Sequence, residues 1–152
     1  MLVFLLESLK YELDILHAGN TMAIFEKFAK KSSENLYLVF RVLIGLLFLS
    51  HGAQKLGFLG GNAMTYFMLF IGIIEFLGGI AITLGFLTRL AALLAAIEML
   101  SVYIVAHASK AILPLENKGE LALLYLAAFL VIFAMGGVKY YIDHTLFKKE
   151  LF

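Results

Sequence analysis

The run AMTYFMLFIGIIEFLGGIAITLGF, from Ala63 to Phe86, carries a single charged side chain, Glu75, in 24 residues. A helix crossing roughly 30 Å of hydrocarbon takes about 20 residues at about 1.5 Å of rise each, so this stretch is long enough to span a bilayer. Runs of the same kind lie at Leu36 to Leu56, Leu90 to Ala108 and Leu121 to Val138. The chain is 62% hydrophobic and 15% charged over 152 residues. Soluble domains have about 45–50% and about 25%, so a soluble core of this size cannot hide the excess. A transmembrane β-barrel would alternate apolar and polar residues in segments of about 10, a pattern this sequence lacks.

The connections are short: Gly57 to Asn62, a tight Leu87-Thr88-Arg89 turn, and Ser109 to Glu120, which holds the only proline, Pro114. Short links make neighbouring helices antiparallel. The fold class read from the sequence is therefore all-α: a polytopic membrane protein, an up-down bundle of four transmembrane helices preceded by N-terminal amphipathic helices.

In that N-terminal part, Leu2, Leu5, Leu6, Leu9, Leu13 and Leu16 recur at helical spacing while Glu7, Lys10, Glu12 and Asp14 take the other face. The spacing predicts an amphipathic helix lying on the membrane or on a partner. Ala18-Gly19-Asn20-Thr21 reads as a break with N-cap chemistry, and Met22, Phe25, Phe28 and Ala29 outline a second short helix ending at Lys30-Lys31. The expected division is an interfacial segment at 1–33, the bundle at 34–145 and a cytoplasmic tail at 146–152. Basic residues near the span ends set the orientation. Lys27, Lys30, Lys31, Arg89, Lys139, Lys148 and Lys149 fall on one side and Lys55, Lys110 and Lys118 on the other. The positive-inside rule then places both termini in the cytoplasm of a cell-membrane protein. The start of the chain has no basic region ahead of its apolar residues and does not read as a cleaved signal peptide.

Composition excludes several chemistries. With no cysteine, disulfides, thiolate metal sites and cysteine nucleophiles are ruled out. Twelve Lys and Arg against eleven acids form no basic stripe, so a nucleic-acid partner is not expected.

Ionisable groups inside the spans are the informative positions, because a charge at the bilayer centre costs on the order of 3 kcal/mol even on insertion scales. Arg41 lies about 7 Å into the first span, and Glu75 and Glu98 fall near the midplane at the helical rise. An Arg41–Glu75 pair is one arrangement, serving either to fix helix register or to take part in function. Toward the outer ends, His51, Gln54 and Lys55 approach the levels of His107 and Glu120 and suggest one polar pocket. Arg41, Gly45, Phe48, Gly52 and Lys55 share a narrow arc of the first span, and Gly72, Glu75, Gly79 and Ile82 make a similar stripe on the second. Such small-residue stripes allow close backbone approach. His107 stands nine residues from Glu98, half a turn away on an ideal helix, so both face one interior only if the helix bends. Otherwise one of them faces lipid, a separate cleft or another subunit, which leaves a homo-oligomer open. Two histidines near one membrane face are too little to specify a haem, and no His and carboxylate pair has metal-ligand spacing, so no metal is expected.

The stretch from Arg41 to Leu56, RVLIGLLFLSHGAQKL, followed by IEFLGGIAITLGFLTRLAA from Ile74 to Ala92, resembles the DoxX family. Met99, His107, Gly119-Glu120-Leu-Ala-Leu-Leu and Gly136 continue the resemblance, which covers about Leu36 to Asp143. It implies a four-helix membrane protein tied to respiratory or sulfur redox chemistry, working with a quinone and a soluble redox enzyme. Carried over by position, the family's pattern falls on Arg41, His51, Gln54, Lys55, Glu75, Arg89, His107 and Glu120. Resemblance and residue chemistry together assign His51, Lys55, Glu75 and His107 to catalysis and Arg41, Gln54 and Glu120 to cofactor binding. A quinone ring entering from the bilayer would meet donors at His51, Lys55 and His107 and a proton relay at Glu75 or Glu120. Two other classes stay open: a non-catalytic anchor that recruits a soluble detoxification enzyme through the N-terminal helices, and a proton-coupled carrier built around Glu75.

Overall fold

The computed structural model describes residues 2–60, 65–143 and 148. The helices are α1 (Leu2–Lys55), α2 (Tyr66–Leu84), α3 (Thr88–Val102), which runs on into a π-helical turn at Tyr103–Ala108, a single turn α4 (Pro114–Asn117), and α5 (Glu120–Met135). No strand occurs among the described residues. The chain divides into two units, 1–36 and 37–152.

In the first unit the expected break at Ala18 to Thr21 is absent, and the helix passes through Gly19 without interruption. One glycine in a helix interior costs only about 1 kcal/mol, too little to end a helix that neighbouring residues support. Leu2, Leu5, Leu6, Leu13 and Leu16 of the predicted amphipathic stripe lie outside the described side chains. Leu9, Met22, Ile24, Phe25 and Phe28 are exposed.

Thr21–Lys55, Tyr66–Leu84 and Thr88–Ala108 are long and apolar enough to cross a membrane. Around the second unit, Leu43, Leu47, Phe70, Ile73, Leu77, Leu94 and Ile97 point outward and are exposed, the surface a lipid solvent asks for. The fourth helix is shorter than expected. α5 has 16 residues and stops at Met135, not Val138, because Gly136 turns to φ 72° and ψ −149°, a conformation essentially reserved for glycine. It packs inside the bundle: Ala122, Tyr125, Ala128, Phe129 and Ile132 are buried, opposite Ala92, Ala95, Ala96 and Met99 of α3. Those alanines let the two helices approach closely around Phe48, Ile82 and Phe129.

α2 ends in a Schellman motif, with the Phe86 N–H donating to Ala81 O at 2.8 Å and the Gly85 N–H to Ile82 O at 3.3 Å. Gly85 takes the left-handed φ of 72° that this cap requires. Helix α3 therefore starts at Thr88, earlier than Leu90, and the Leu87 N–H donates to Asp143 Oδ2 at 3.0 Å.

The glycine stripes do what their spacing predicts. A Cβ on Gly45 would stand 2.8 Å from Thr83 N, one on Gly52 2.7 Å from Gly72 O, and one on Gly79 2.6 Å from Leu49 Cα. Real side chains essentially never come so close. The α1 and α2 backbones are thus in direct contact, and this contact sets the end of α1 beside the middle of α2.

Candidate functional site

Close packing of α1 on α2 delivers Lys55, in the last turn of α1, to Glu75. The Lys55 Nζ donates to Glu75 Oε1 at 2.6 Å, and the Glu75 side chain is 3% exposed. Arg41 is not the partner of Glu75. It is buried near the opposite end of the span, where Nη1 donates to Gly137 O at 2.5 Å and Nη2 to Tyr140 O at 2.9 Å. The reason is axial position: Arg41 and Lys55 share a helix face but lie 14 residues, about 21 Å, apart. Only Lys55 stands level with the carboxylate.

One turn before Lys55, His51 sets its ring edge-on to Tyr125 with centroids 5.7 Å apart. His107 arrives from α3 through the π-helical turn. That turn is wider than an α-turn and takes up part of the half-turn that would separate His107 from Glu98, so His107 faces the bundle interior while Glu98 is buried too. His107 Nδ1 lies 2.9 Å from the Asn117 carbonyl oxygen. A carbonyl only accepts, so the proton sits on Nδ1 and Nε2 is the nitrogen left for other chemistry.

Asn117 ties the loop over this end of the bundle. Its Nδ2 donates to Ala111 O at 3.0 Å, its Oδ1 accepts the Gly119 N–H at 2.7 Å, and the residue is 2% exposed. Lys118 follows with a left-handed φ of 59°. The result is a cavity of about 270 Å³ with His51, Lys55, Glu75, His107, Lys118 and Tyr125 on its polar side and Phe48, Met99, Val102 and Leu121 on its apolar side. His51, Lys55, Glu75 and His107, singled out from the sequence, all line it.

Gln54 and Glu120 do not. Gln54 is exposed in a shallow groove with Leu47, Ser50 and Leu59, and Glu120 is exposed beside Lys118, Leu115 and Leu124. Arg41 also lies outside the cavity, among the carbonyls of the C-terminal stretch. Sequence reading missed Asn117 and Tyr125. Tyr125 carries a signal in hindsight, since Leu121, Ala122, Tyr125 and Phe129 recur on one helical face; Asn117 meets His107 through its backbone carbonyl, which no side-chain motif announces.

A second cavity, about 530 Å³, is bounded by Ile74, Leu77, Gly78, Ala81, Leu90 and Leu94 and is almost wholly apolar. It is larger, but no side chain of its lining is able to donate or accept a proton. Phe48 lines both. Among the described residues no group of three or more His, Cys, Asp or Glu is placed to hold a metal ion.

Comparison with known proteins follows the same residues. The DoxX family profile matches residues 36–108, which hold His51, Gln54, Lys55, Glu75 and His107. An uncharacterized protein of Haemophilus influenzae is 34% identical over 119 residues, covering 72% of this chain and 89% of that protein. No solved structure matches. On the profile match and the extent of this relative, the chain belongs to the DoxX family.

Proposed function

We propose that the outer cavity takes the head group of a quinone and that the protein is the membrane subunit of a redox system served by a soluble partner enzyme. The observation that carries this reading is the convergence of His51, Lys55, Glu75 and His107 on one cavity with an apolar wall. A volume of about 270 Å³ suits a single ring and not a larger ligand. The neighbouring apolar cavity beyond Phe48 suits a hydrocarbon chain. When bound, a quinone supplies the capacity to accept two electrons and two protons. The chain's own residues supply the rest. His51 and Lys55 Nζ are the groups able to donate to carbonyl oxygens, His107 Nε2 is able to accept from a hydroxyl of the reduced ring, Glu75 holds Lys55 in place, and Phe48 and Tyr125 keep bulk water from the ring.

Titrating a quinone analogue into the protein in nanodiscs tests this. Saturable binding is expected, weakened by about fivefold or more in His51→Ala and in His107→Ala, since leaving a buried oxygen of the ring without its partner costs about 1–3 kcal/mol. If the wild type shows no saturable binding, and a soluble redox enzyme is captured only while residues 1–31 are present, the protein is an anchor and the quinone reading fails.

We also propose a cell-membrane location with both termini in the cytoplasm. Arg89, which donates to Phe133 O and Ala134 O, marks the same end of the bundle as Lys139, while Lys55, Lys110 and Lys118 mark the other. With no native cysteine, single cysteines report cleanly. One at Glu116 should label from outside intact cells and one at Lys148 only after permeabilisation; the reverse pattern would invert the assignment.

A further inference from the structure

Glu98 takes no part in the cavity's lining, yet it is a carboxyl buried in the middle of a membrane helix, 9% exposed, with no hydrogen-bond partner on either oxygen. It lies within hydrogen-bonding reach of Glu75 and feels the charge of Lys55. Glu75 spends Oε1 on Lys55, and its Oε2 is buried without a partner. Three carboxylate oxygens therefore gather in a buried space with no donor among them. Ionised carboxylates only accept, so no rearrangement of these two side chains satisfies both.

The charges give the same result. Titratable and charged groups lining the cavity onto which Glu75 opens are His51 and Lys55 from α1, Glu75 itself from α2, His107 from the π-helical turn, Lys118 from the loop and Tyr125 from α5. Lys55 cancels Glu75. Lys118 is exposed, and the charges that act on Glu98 are those of Glu75 and Lys55, not of either histidine. Glu98 thus leaves one negative charge uncompensated inside the bilayer, where such a charge is expensive.

We infer that Glu75 and Glu98 share one exchangeable proton, making the pair a proton-holding site inside the membrane that opens on the outer cavity through Glu75. A single proton placed between the two carboxyls supplies the missing donor and removes the excess charge at once, as adjacent carboxyl groups do elsewhere when they cannot both ionise. Glu98 is then a positioning residue that keeps a proton next to Glu75. The inference rests on the buried pair and holds whatever ligand the cavity takes.

Infrared spectroscopy of the whole protein in nanodiscs tests it directly. At about pH 7 an ordinary glutamate, with a pKa of about 4.3, is ionised. Apart from Glu75 and Glu98, every glutamate among the described residues is exposed. The expected result is a protonated-carboxyl band of about one group per chain that shifts in D₂O, shifts again when glutamate carboxyls carry ¹³C, and disappears in Glu98→Gln. The isotope-labelled wild type decides the matter without any variant, so poor folding of Glu98→Gln leaves the test intact. Absence of a protonated glutamate in the wild type would overturn the proposal, as would a band that Glu98→Gln leaves in place. Loss of the band on saturating with Na⁺ would also overturn it, since a bound cation would then be the compensating charge. Quinone binding is read separately, so failure of either idea is distinguishable from failure of the other.

Discussion

Replacing Lys55 with Met is expected to lower the unfolding free energy by about 3–5 kcal/mol, the usual cost of stranding one partner of a buried ion pair. For a chain of this length that is a fall of roughly 6–20 °C in thermal midpoint. The cost arises because Glu75 is 3% exposed and loses the ammonium that is hydrogen-bonded to it and compensates its charge. The double change Lys55→Met with Glu75→Met should recover most of the loss, because an apolar pair of similar volume leaves no charge to compensate. Thermal unfolding in detergent, followed by circular dichroism, measures all three variants. Strictly additive effects of the two single changes would show that the pair is not coupled. A parallel cycle on Arg41 and Glu75 should be additive, since the two residues bond different partners at different depths.

This contrast shows how much of the site the sequence disclosed. The stripe Arg41, Gly45, Phe48, Gly52, Lys55 placed one basic residue at each end of a single helix face, and either one was a chemically sensible partner for Glu75. Helical periodicity fixes direction around an axis. It does not fix the axial offset between two helices, which depends on how Gly45, Gly52, Gly72 and Gly79 nest together. The glycines were visible, but the register they produce is a property of the packed pair.

The helices themselves were more legible, because long apolar runs have few alternatives in a lipid solvent. What escaped were local conformations. Gly19 was read as a stop and is an interior helical residue, whereas Gly136 does stop its helix, through a backbone conformation that only the folded C-terminal stretch selects. The π-helical turn at Tyr103–Ala108 was the largest omission in its effect on the site. On an ideal α-helix His107 and Glu98 oppose each other, and the sequence alone posed that conflict without resolving it. Nothing in Tyr-Ile-Val-Ala-His-Ala marks a π-turn. The wider winding is held by the His107 bond to Asn117 O and by Tyr103 stacked on the His107 ring at 6.5 Å, both tertiary or cross-turn contacts.

Arg41→Met is expected to cost about as much as Lys55→Met, but at the other end of the bundle and without touching the cavity. Arg41 is 1% exposed and its guanidinium donates to Gly137 O and Tyr140 O, while the Tyr37 hydroxyl donates to Gly136 O at 2.6 Å. Two charge-assisted bonds at about 1.5–3 kcal/mol each give an expected loss of about 3–6 kcal/mol, with the abandoned carbonyls adding to it. Arg41→Lys should restore less than half, because an ammonium is a point donor and cannot reproduce a planar fork reaching carbonyls three residues apart. Tyr37→Phe, which removes one neutral hydrogen bond, should cost only about 1 kcal/mol. Hydrogen exchange would localise the damage: amides from Gly136 to Tyr141 should lose protection first, while those of α2 beside Glu75 hold theirs. Quinone titration of the still-folded variant then decides the role that family resemblance suggests for this arginine. A guanidinium that only anchors the end of the chain, about 21 Å along the helix from Lys55, leaves the cavity's affinity unchanged when it is removed. A tenfold or greater loss of affinity at full helicity would instead make Arg41 part of the binding machinery, acting from outside the cavity, and the separation between anchor and site argued from these hydrogen bonds would not stand.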